Sequence, residues 1–172
     1  MKSIKWLLGI IGLIILFSFL WNLFVLQIPV NRRIKSDSRN SGISIKVHYK
    51  YYINPKTLVF NIKEISGSNS AADVFRTFLT TSAELKDKKF GKVELASKGK
   101  IKFYIIGEYF NSIGSEYGDQ NVVFTIRTFP KNVYFPSGDL AYSTWTGGLL
   151  GVMSKQMDDF NDLCKNWFLN DL

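Results

Sequence analysis

Near its N-terminus the sequence contains 23 consecutive uncharged residues, from Trp6 to Ile28. Sixteen of them are Leu, Ile, Phe or Val, whose summed preference for a membrane is about 5–10 kcal/mol. As a helix rising about 1.5 Å per residue, the stretch is roughly 35 Å long, enough to cross a hydrocarbon core of about 30 Å. The sequence therefore predicts an N-terminal transmembrane anchor that occupies residues 1–28.

A cleaved signal peptide is the alternative interpretation of this stretch, because Lys2 and Lys5 give it a basic start. The apolar part of a signal peptide spans about 7–15 residues and ends in small residues at the cleavage site. Here the stretch is longer and ends in the bulky sequence FVLQIP at 24–29, and no Cys follows it as in a lipoprotein. We therefore expect an uncleaved signal-anchor and a single-pass membrane protein.

The basic residues around the anchor give opposing indications of the side on which the domain lies. Four of them follow the anchor within residues 29–42, whereas two precede it, and this count favours a cytoplasmic domain. A basic, signal-like start favours export of the chain behind it. We expect a domain outside the cytoplasm, and the Lys-rich, Arg-poor composition suggests a bacterial protein of the inner membrane.

The formal net charge of +8 is concentrated around the anchor. Residues 43–172 contain 16 Lys or Arg and 13 Asp or Glu, whereas a nucleic-acid-binding protein concentrates basic residues on the surface that meets phosphate. The basic residues of 29–42 suit the anionic head groups of lipids. We therefore expect membrane lipids as partners, through the anchor and the basic segment behind it, and no nucleic acid.

The remaining chain is predicted to be a connector followed by one domain. Residues 29–42 are polar without apolar periodicity, which predicts a basic flexible connector, and 43–172 form a soluble domain. Alternation of apolar and polar residues predicts strands at 43–52, 58–63, 93–95, 101–105, 122–126 and 133–135. Apolar residues spaced three and four apart predict long helices at 71–85 and 148–169, with a short helix or a loop at 107–118. The predicted fold is α+β: a mostly antiparallel sheet of about five strands covered by two longer helices.

No catalytic or metal site emerges from the residue pattern. The single cysteine, Cys164, falls in the apolar stripe of the last predicted helix, where a thiol behaves as a small buried hydrophobe. The single histidine, His48, falls on the polar face of a strand, where a solvated side chain is expected. One Cys and one His provide no cluster for zinc or iron. We expect neither a metal nor a cofactor.

The best local candidate for a ligand site is the segment that leads into the last helix: Trp145, Thr146, Gly147 and Gly148. Free backbone N–H groups at a helix start are able to hold an anionic group. The segment matches no phosphate-binding motif, because Leu149 stands where a Walker loop requires Lys. The alternative is that the glycines only let the chain turn.

Arg127 is the second candidate for a ligand site, because it falls where the strand predicted from Val122 continues toward Pro130, among aromatic residues. An arginine in that setting is able to bind a carboxylate or to stack on a planar ligand. A structural ion pair with Glu94 or Glu108 is the commoner outcome for such a side chain.

Without a named nucleophile, base or metal, the favoured interpretation is a non-enzymatic binding or assembly module, with a protein partner in or near the same membrane. An exposed apolar patch on the domain is the feature that would support it. The alternative is a membrane-tethered hydrolase or transferase acting on an envelope or lipid substrate. That alternative requires Arg127 and carboxylates such as Glu108 to converge in a cleft.

Overall fold

The computed structural model of the protein describes residues 2–171, with side chains from Lys5 onward. Met1 and Leu172, which the predicted anchor and domain include, lie outside the described residues. The chain begins with one long helix, which we call the N-terminal helix. It consists of α1 (Lys2–Asn22), a π-helical turn (Leu23–Gln27) and α2 (Ile28–Lys35). Its most apolar window has a mean hydropathy of 2.4, and the helix is long enough to span a membrane.

Residues 29–42, predicted as a flexible connector, are instead helical up to Lys35 and then form a short 3₁₀ turn, Ser38–Asn40. The reason is an apolar face with a four-residue period: Leu26, Val30 and Ile34 are all buried in the core of the domain. Their period is hard to see in the sequence because polar residues such as Arg32 and Arg33, which lie on the solvent side of the helix, give the segment a polar composition.

Five strands form one sheet in the order β1-β2-β3-β4-β5. Their bounds are β1 (Ile43–Lys50), β2 (Asn54–Ile65), β3 (Lys92–Ser97), β4 (Lys100–Ile106) and β5 (Val133–Tyr134). The β2–β3 pair is parallel, and the other three pairs are antiparallel. The α+β fold with a mostly antiparallel sheet of about five strands is thus confirmed.

Four further helices are α3 (Ala71–Leu85), α4 (Gly107–Glu116), α5 (Val122–Thr128) and α6 (Leu149–Trp167). The two longer ones, α3 and α6, are those predicted to cover the sheet. Ser70 and Asp73 form a capping box at the start of α3, each side chain accepting from the other residue's backbone N–H, which satisfies two donors that the first helical turn leaves free. Because α3 connects β2 to β3, it carries the chain across the sheet between the two parallel strands.

The strand predicted at 122–126 is wrong, since these residues form α5. Asn121 begins the helix by accepting a hydrogen bond from the backbone N–H of Val123 (2.9 Å). Thr125 and Phe129, four residues apart, face the interior. The alternating residues that predicted a strand, Val122 and Phe124, are about half exposed. Seven residues are too few for the apolar period to separate a strand from a helix.

An aromatic cluster fills the space between the sheet and the helices. Phe78 lies at its centre and packs edge to face on Phe60 (5.1 Å between ring centroids) and Phe129 (5.5 Å). Trp167 of α6 packs on Phe78 (5.8 Å), and its indole N–H donates to the carbonyl of Ala96. Cys164 is buried beside this cluster, as predicted, and burial raises the pKa of its thiol to about 12.

Candidate functional site

The N-terminal helix lies along β1, the edge strand of the sheet, and its side chains satisfy free backbone groups of that strand. The side-chain oxygen of Gln27 accepts from the N–H of Val47 (2.7 Å), and its amide donates to the carbonyl of Ile45 (3.2 Å). The side-chain oxygen of Asn22 accepts from the N–H of Tyr49 (2.6 Å). An edge strand exposes a row of unpaired backbone groups, and these two amides close part of that row.

The π-helical turn, Leu23–Gln27, explains how both amides face the same strand. In an α-helix, residues five apart lie about 140° apart around the axis, because each residue turns by about 100°. The wider π turn brings Asn22 and Gln27 back to one face. Leu26, in the same turn, is fully buried. Hydrogen bonds and burial together therefore fix the helix rigidly to the domain.

The N-terminal helix projects from one end of the sheet. From Gln27 back to Asn22, the hydrogen-bonded partners advance along β1 toward its last residue. Beyond them, Ser18 Oγ and Asn22 Nδ2 both donate to the carbonyl of Tyr52, at 2.6 and 2.7 Å. The remainder of α1 then extends past the sheet, and we call this end of the domain the helix-exit end.

Three loops share the helix-exit end. The strand pairings place the end of β1, the starts of β2 and β3 and the end of β4 together. The loops that join these strand ends to their neighbours are the β1–β2 turn (Tyr51–Ile53), the α3–β3 loop (86–91) and the β4–α4 junction (Ile106–Gly107). The N–H of Gly91 donates to the carbonyl of Lys56 (2.8 Å), which joins the second loop to the start of β2.

Apolar and basic side chains protrude from the helix-exit end. Tyr51 is 75% exposed and Ile53 is 72% exposed. Lys56, Lys86 and Lys89 are exposed as well. Large apolar side chains with this exposure beside lysines are typical of a surface that meets the boundary between lipid and water.

His48 is not the solvated side chain that the sequence predicts. It is half-buried and stacks on Tyr52, with 4.6 Å between the ring centroids, and its Nδ1 lies 2.8 Å from the carbonyl oxygen of Tyr49, to which it donates as the protonated nitrogen. Burial lowers the pKa of His48, because desolvation disfavours the charged imidazolium.

Two of the residues predicted to bind a ligand, Arg127 and Trp145, line one small cavity of about 60 Å³. Arg127 Nε donates to Gln156 Oε1 (3.0 Å), and the indole N–H of Trp145 donates to Asp159 Oδ2 (2.6 Å). Lys155 Nζ lies 4.2 Å from the centroid of the Trp145 ring. The cavity has room for about two water molecules, whereas pockets for small organic ligands are typically about 300–1,000 Å³.

The other three predicted ligand residues, Thr146, Gly147 and Gly148, are exposed and do not line this cavity. Gly147 has a φ of +131°, a conformation that favours glycine and supports the alternative of a chain turn. Ligand binding by any of the five residues remains a prediction.

The ion pair predicted for Arg127 with Glu94 or Glu108 does not form among the described residues. Glu94 is buried and pairs instead with Lys50 (2.6 Å) across the face of the sheet opposite the helices. Among the described residues, Glu108 does not line the cavity that Arg127 lines, so that cavity does not show the convergence that the alternative of an enzyme required.

An exposed apolar patch lies where α5 and α6 begin. The rings of Phe129 and Phe160 both pack on Phe75, at 4.9 and 5.0 Å, and Arg127 bonds to Gln156. The two helices therefore lie side by side, and each begins with exposed apolar residues. These residues include five exposed apolar side chains: Val122, Val123, Phe124, Leu149 and Leu150.

A groove of about 570 Å³ lies between α2 and the start of β1. Asn31, Lys35 and Asp37 line one part of it, and the backbone of residues 41–45 lines the other. Its lining combines polar residues with the apolar Ile34, Ile43 and Ile45, and holds no arrangement of side chains that indicates a particular ligand.

Comparison with models of protein families, with curated proteins and with solved structures finds no match to this chain.

Proposed function

We propose that this chain is a single-pass membrane protein whose domain is a binding or assembly module held at the membrane surface. The supporting observation is the contrast along one helix. Up to Trp21 its large apolar side chains are exposed, as with Trp6 (76%), Leu13 (67%) and Phe17 (67%). From Asn22 onward one face is buried in the domain. In water such an all-round apolar surface is unfavourable, whereas a bilayer covers it.

The rigid junction between the helix and the domain fixes how the module is oriented toward a partner. Because the helix is fixed to β1 through Asn22 and Gln27, the domain keeps one orientation relative to the part of the helix that crosses the bilayer. A partner in the same membrane then meets the same surface of the domain each time, and confinement to two dimensions raises its effective concentration. A weak interface is sufficient under these conditions.

The apolar patch formed by Val122, Val123, Phe124, Leu149 and Leu150 supports a protein partner. Exposed apolar surface beyond single scattered side chains marks interaction sites in soluble domains. In this proposal the patch meets a protein partner in or near the same membrane. The proposal places the module in a bacterial inner membrane, with the domain outside the cytoplasm.

The basic residues of α2, which follow the anchor, lie beside the domain. Arg32 lies eleven residues beyond Trp21, which is about 16 Å along a continuous helix, and Arg33 pairs with Glu84 of α3 (3.4 Å). In the folded protein these cations lie beside the domain, so the proposal assigns the contact with lipid to the anchor rather than to 29–42.

Alkaline extraction and protease protection of the full chain, tagged after Leu172, test this proposal. We expect the protein to stay in the membrane pellet and its domain to be digested in cells whose outer barrier alone is permeabilised. Leu13→Arg combined with Leu16→Arg should release the protein into the soluble fraction, whereas Lys63→Arg should not. Extraction of the native protein, or a domain protected until the inner membrane is lysed, would contradict anchoring or export respectively.

A further inference from the structure

We propose that the helix-exit end of the domain is a lipid-docking surface, in which the Tyr51–Ile53 turn enters the interface of an anionic bilayer and nearby lysines contact its head groups. This inference rests on the proposed membrane anchor. It adds a second point of contact, which makes the domain lie against the bilayer rather than stand away from it.

The Tyr51–Ile53 turn is continuous with the apolar surface of α1. Ser18 and Asn22 both donate to the carbonyl of Tyr52, and the ring of Phe19 lies 5.8 Å from the ring of Tyr52. The turn therefore lies beside the last exposed turn of α1. Any bilayer that covers Phe19 and Trp21, which are 46% and 52% exposed, also reaches the β1–β2 turn.

The part of the helix that is free to contact lipid is short. Because Asn22 and Leu26 are buried in the domain, the apolar helix that is free on all sides ends near Trp21. From Trp6 to Trp21 it measures about 22 Å, against a hydrocarbon core of about 30 Å. A gap between the domain and the bilayer would increase this shortfall, whereas docking of the domain reduces it.

The β1–β2 turn contains tyrosines in a backbone conformation that tyrosine rarely adopts. Tyr51 and Tyr52 have φ angles of +55° and +63°, and successive positive φ angles in a hairpin turn are normally adopted by Asn and Gly. Tyr52 contributes to the fold by stacking on His48. Tyr51 is 75% exposed and its ring has a single described partner, Lys50 Nζ at 5.5 Å. A tyrosine that is costly for the backbone and exposed fits an interfacial role, since tyrosine is enriched where lipid meets water.

The surface around the turn carries a modest positive charge. Lys56, Lys86 and Lys89 are exposed at the helix-exit end, and the hydrogen bond from Gly91 to Lys56 holds their two segments together. Two exposed carboxylates, Asp87 and Glu108, lie at the same end. Three exposed cations against two anions leave a modest positive surface around the apolar turn, which suits a bilayer containing anionic lipid.

The test uses the full chain in vesicles of phosphatidylcholine, with or without phosphatidylglycerol. A fluorophore is attached at Ile53→Cys and, as the matched control at the opposite end of β2, at Ser68→Cys, which is also exposed. Cys164 is buried and stays unlabelled in the folded protein. Nitroxide-labelled lipids should quench the fluorophore at position 53 several-fold more than at position 68, and phosphatidylglycerol should increase the quenching at position 53.

Two double-lysine variants test whether the lysines at the helix-exit end attract anionic lipid. Lys86→Gln with Lys89→Gln should abolish the increase caused by phosphatidylglycerol. Lys63→Gln with Lys100→Gln, two exposed lysines at the far end of the sheet, should leave it unchanged. Equal effects of the two pairs would overturn the role of the lysines.

Alkaline extraction of the same vesicles separates the two proposals. A protein that is extracted contradicts the membrane anchor, and the docking surface falls with it. A protein that resists extraction but is quenched equally at positions 53 and 68 retains the anchor and overturns the docking surface.

Discussion

The two halves of the N-terminal helix are covalently continuous but have different surroundings. Residues 6–21 expose large apolar side chains in all directions, whereas residues 22–35 bury Leu26, Val30 and Ile34 on one face and expose Phe24 and then polar side chains such as Arg32 and Lys35 on the other. The first half is uniformly apolar, and the second half is amphipathic. The difference teaches that hydropathy alone does not locate the boundary between the membrane and the domain, since Leu23 to Ile28 are as apolar as the residues before them.

The largest effect is expected from truncating matched leucines in the two halves. Leu26→Ala removes a fully buried side chain and should lower the free energy of unfolding by about 2–5 kcal/mol, because the core is left with a cavity. Leu16→Ala, at a position that is 53% exposed, should leave it unchanged. Denaturant titration of the full chain in detergent micelles measures both, and equal losses would show that the two halves do not differ in packing.

The next effect is expected from removing the amides that close the edge of the sheet. Asn22→Leu leaves the N–H of Tyr49 without its partner, and an unsatisfied buried donor costs about 1–3 kcal/mol. Hydrogen exchange at Tyr49 should accelerate accordingly. Gln120→Leu, which alters an exposed amide between α4 and α5, serves as the control and should change neither quantity. Unchanged exchange at Tyr49 in Asn22→Leu would remove the reason given for the rigid junction.

A smaller, pH-dependent effect is expected where the helix meets β1. Burial lowers the pKa of His48 in the folded state, so below its ordinary value of about 6.5 the unfolded chain binds the proton first. Stability is therefore complete above that pH and falls as the pH decreases below it. The loss should be less than about 1.4 kcal/mol, because the half-exposed ring is screened by solvent.

Thermal or denaturant unfolding at pH 7 and pH 5 measures this effect, and His48→Gln should remove its contribution. The carboxylates with lowered pKa values, Asp37, Asp73 and Asp171, titrate at more acidic pH, so they do not account for a change in this window. A native protein as stable at pH 5 as at pH 7 would contradict the burial of His48 against Tyr52.

The smallest effect is expected at the β1–β2 turn. Tyr51→Asn should stabilise the fold by about 0.5–1 kcal/mol, because asparagine tolerates a positive φ better than tyrosine. Tyr52→Asn relieves the same backbone cost but loses the stacking on His48, so it should not stabilise. Denaturant midpoints of the two variants give the comparison, and destabilisation by Tyr51→Asn would indicate that Tyr51 contributes to the fold.

Much of the fold follows from local patterns that the sequence shows directly. The alternation in β1 is found where the sequence predicts it, and so are the strands predicted at 93–95 and 101–105, which Lys98 and Gly99 join with φ angles of +47° and +83°. The α6 stripe that ends at Trp167 is also found. These elements are long or carry specific turn residues, so their local period determines them without help from tertiary contacts.

The parts that the sequence did not predict depend on contacts between distant residues. The helical state of Val30 and Ile34 requires a core that only the rest of the domain provides. The role of Asn22 requires the free edge of β1, which lies 27 residues away along the chain. The cavity shared by Arg127 and Trp145 depends on α5 being a helix rather than a strand. The binding role proposed for these two residues still has no direct test.

The most direct test of the account is a single-cysteine scan of residues 7–35 in the full chain, reconstituted in vesicles and treated with a water-soluble maleimide. The account predicts no reaction from 7 to 20, because lipid covers every side of the helix. From 23 to 35 it predicts periodic reaction, low at 26, 30 and 34 and high at Arg32 and Lys35. Periodic reaction already at 7–20 would indicate a surface helix with one face in water, and uniform reaction across 22–35 would indicate a flexible connector; either result would contradict the account.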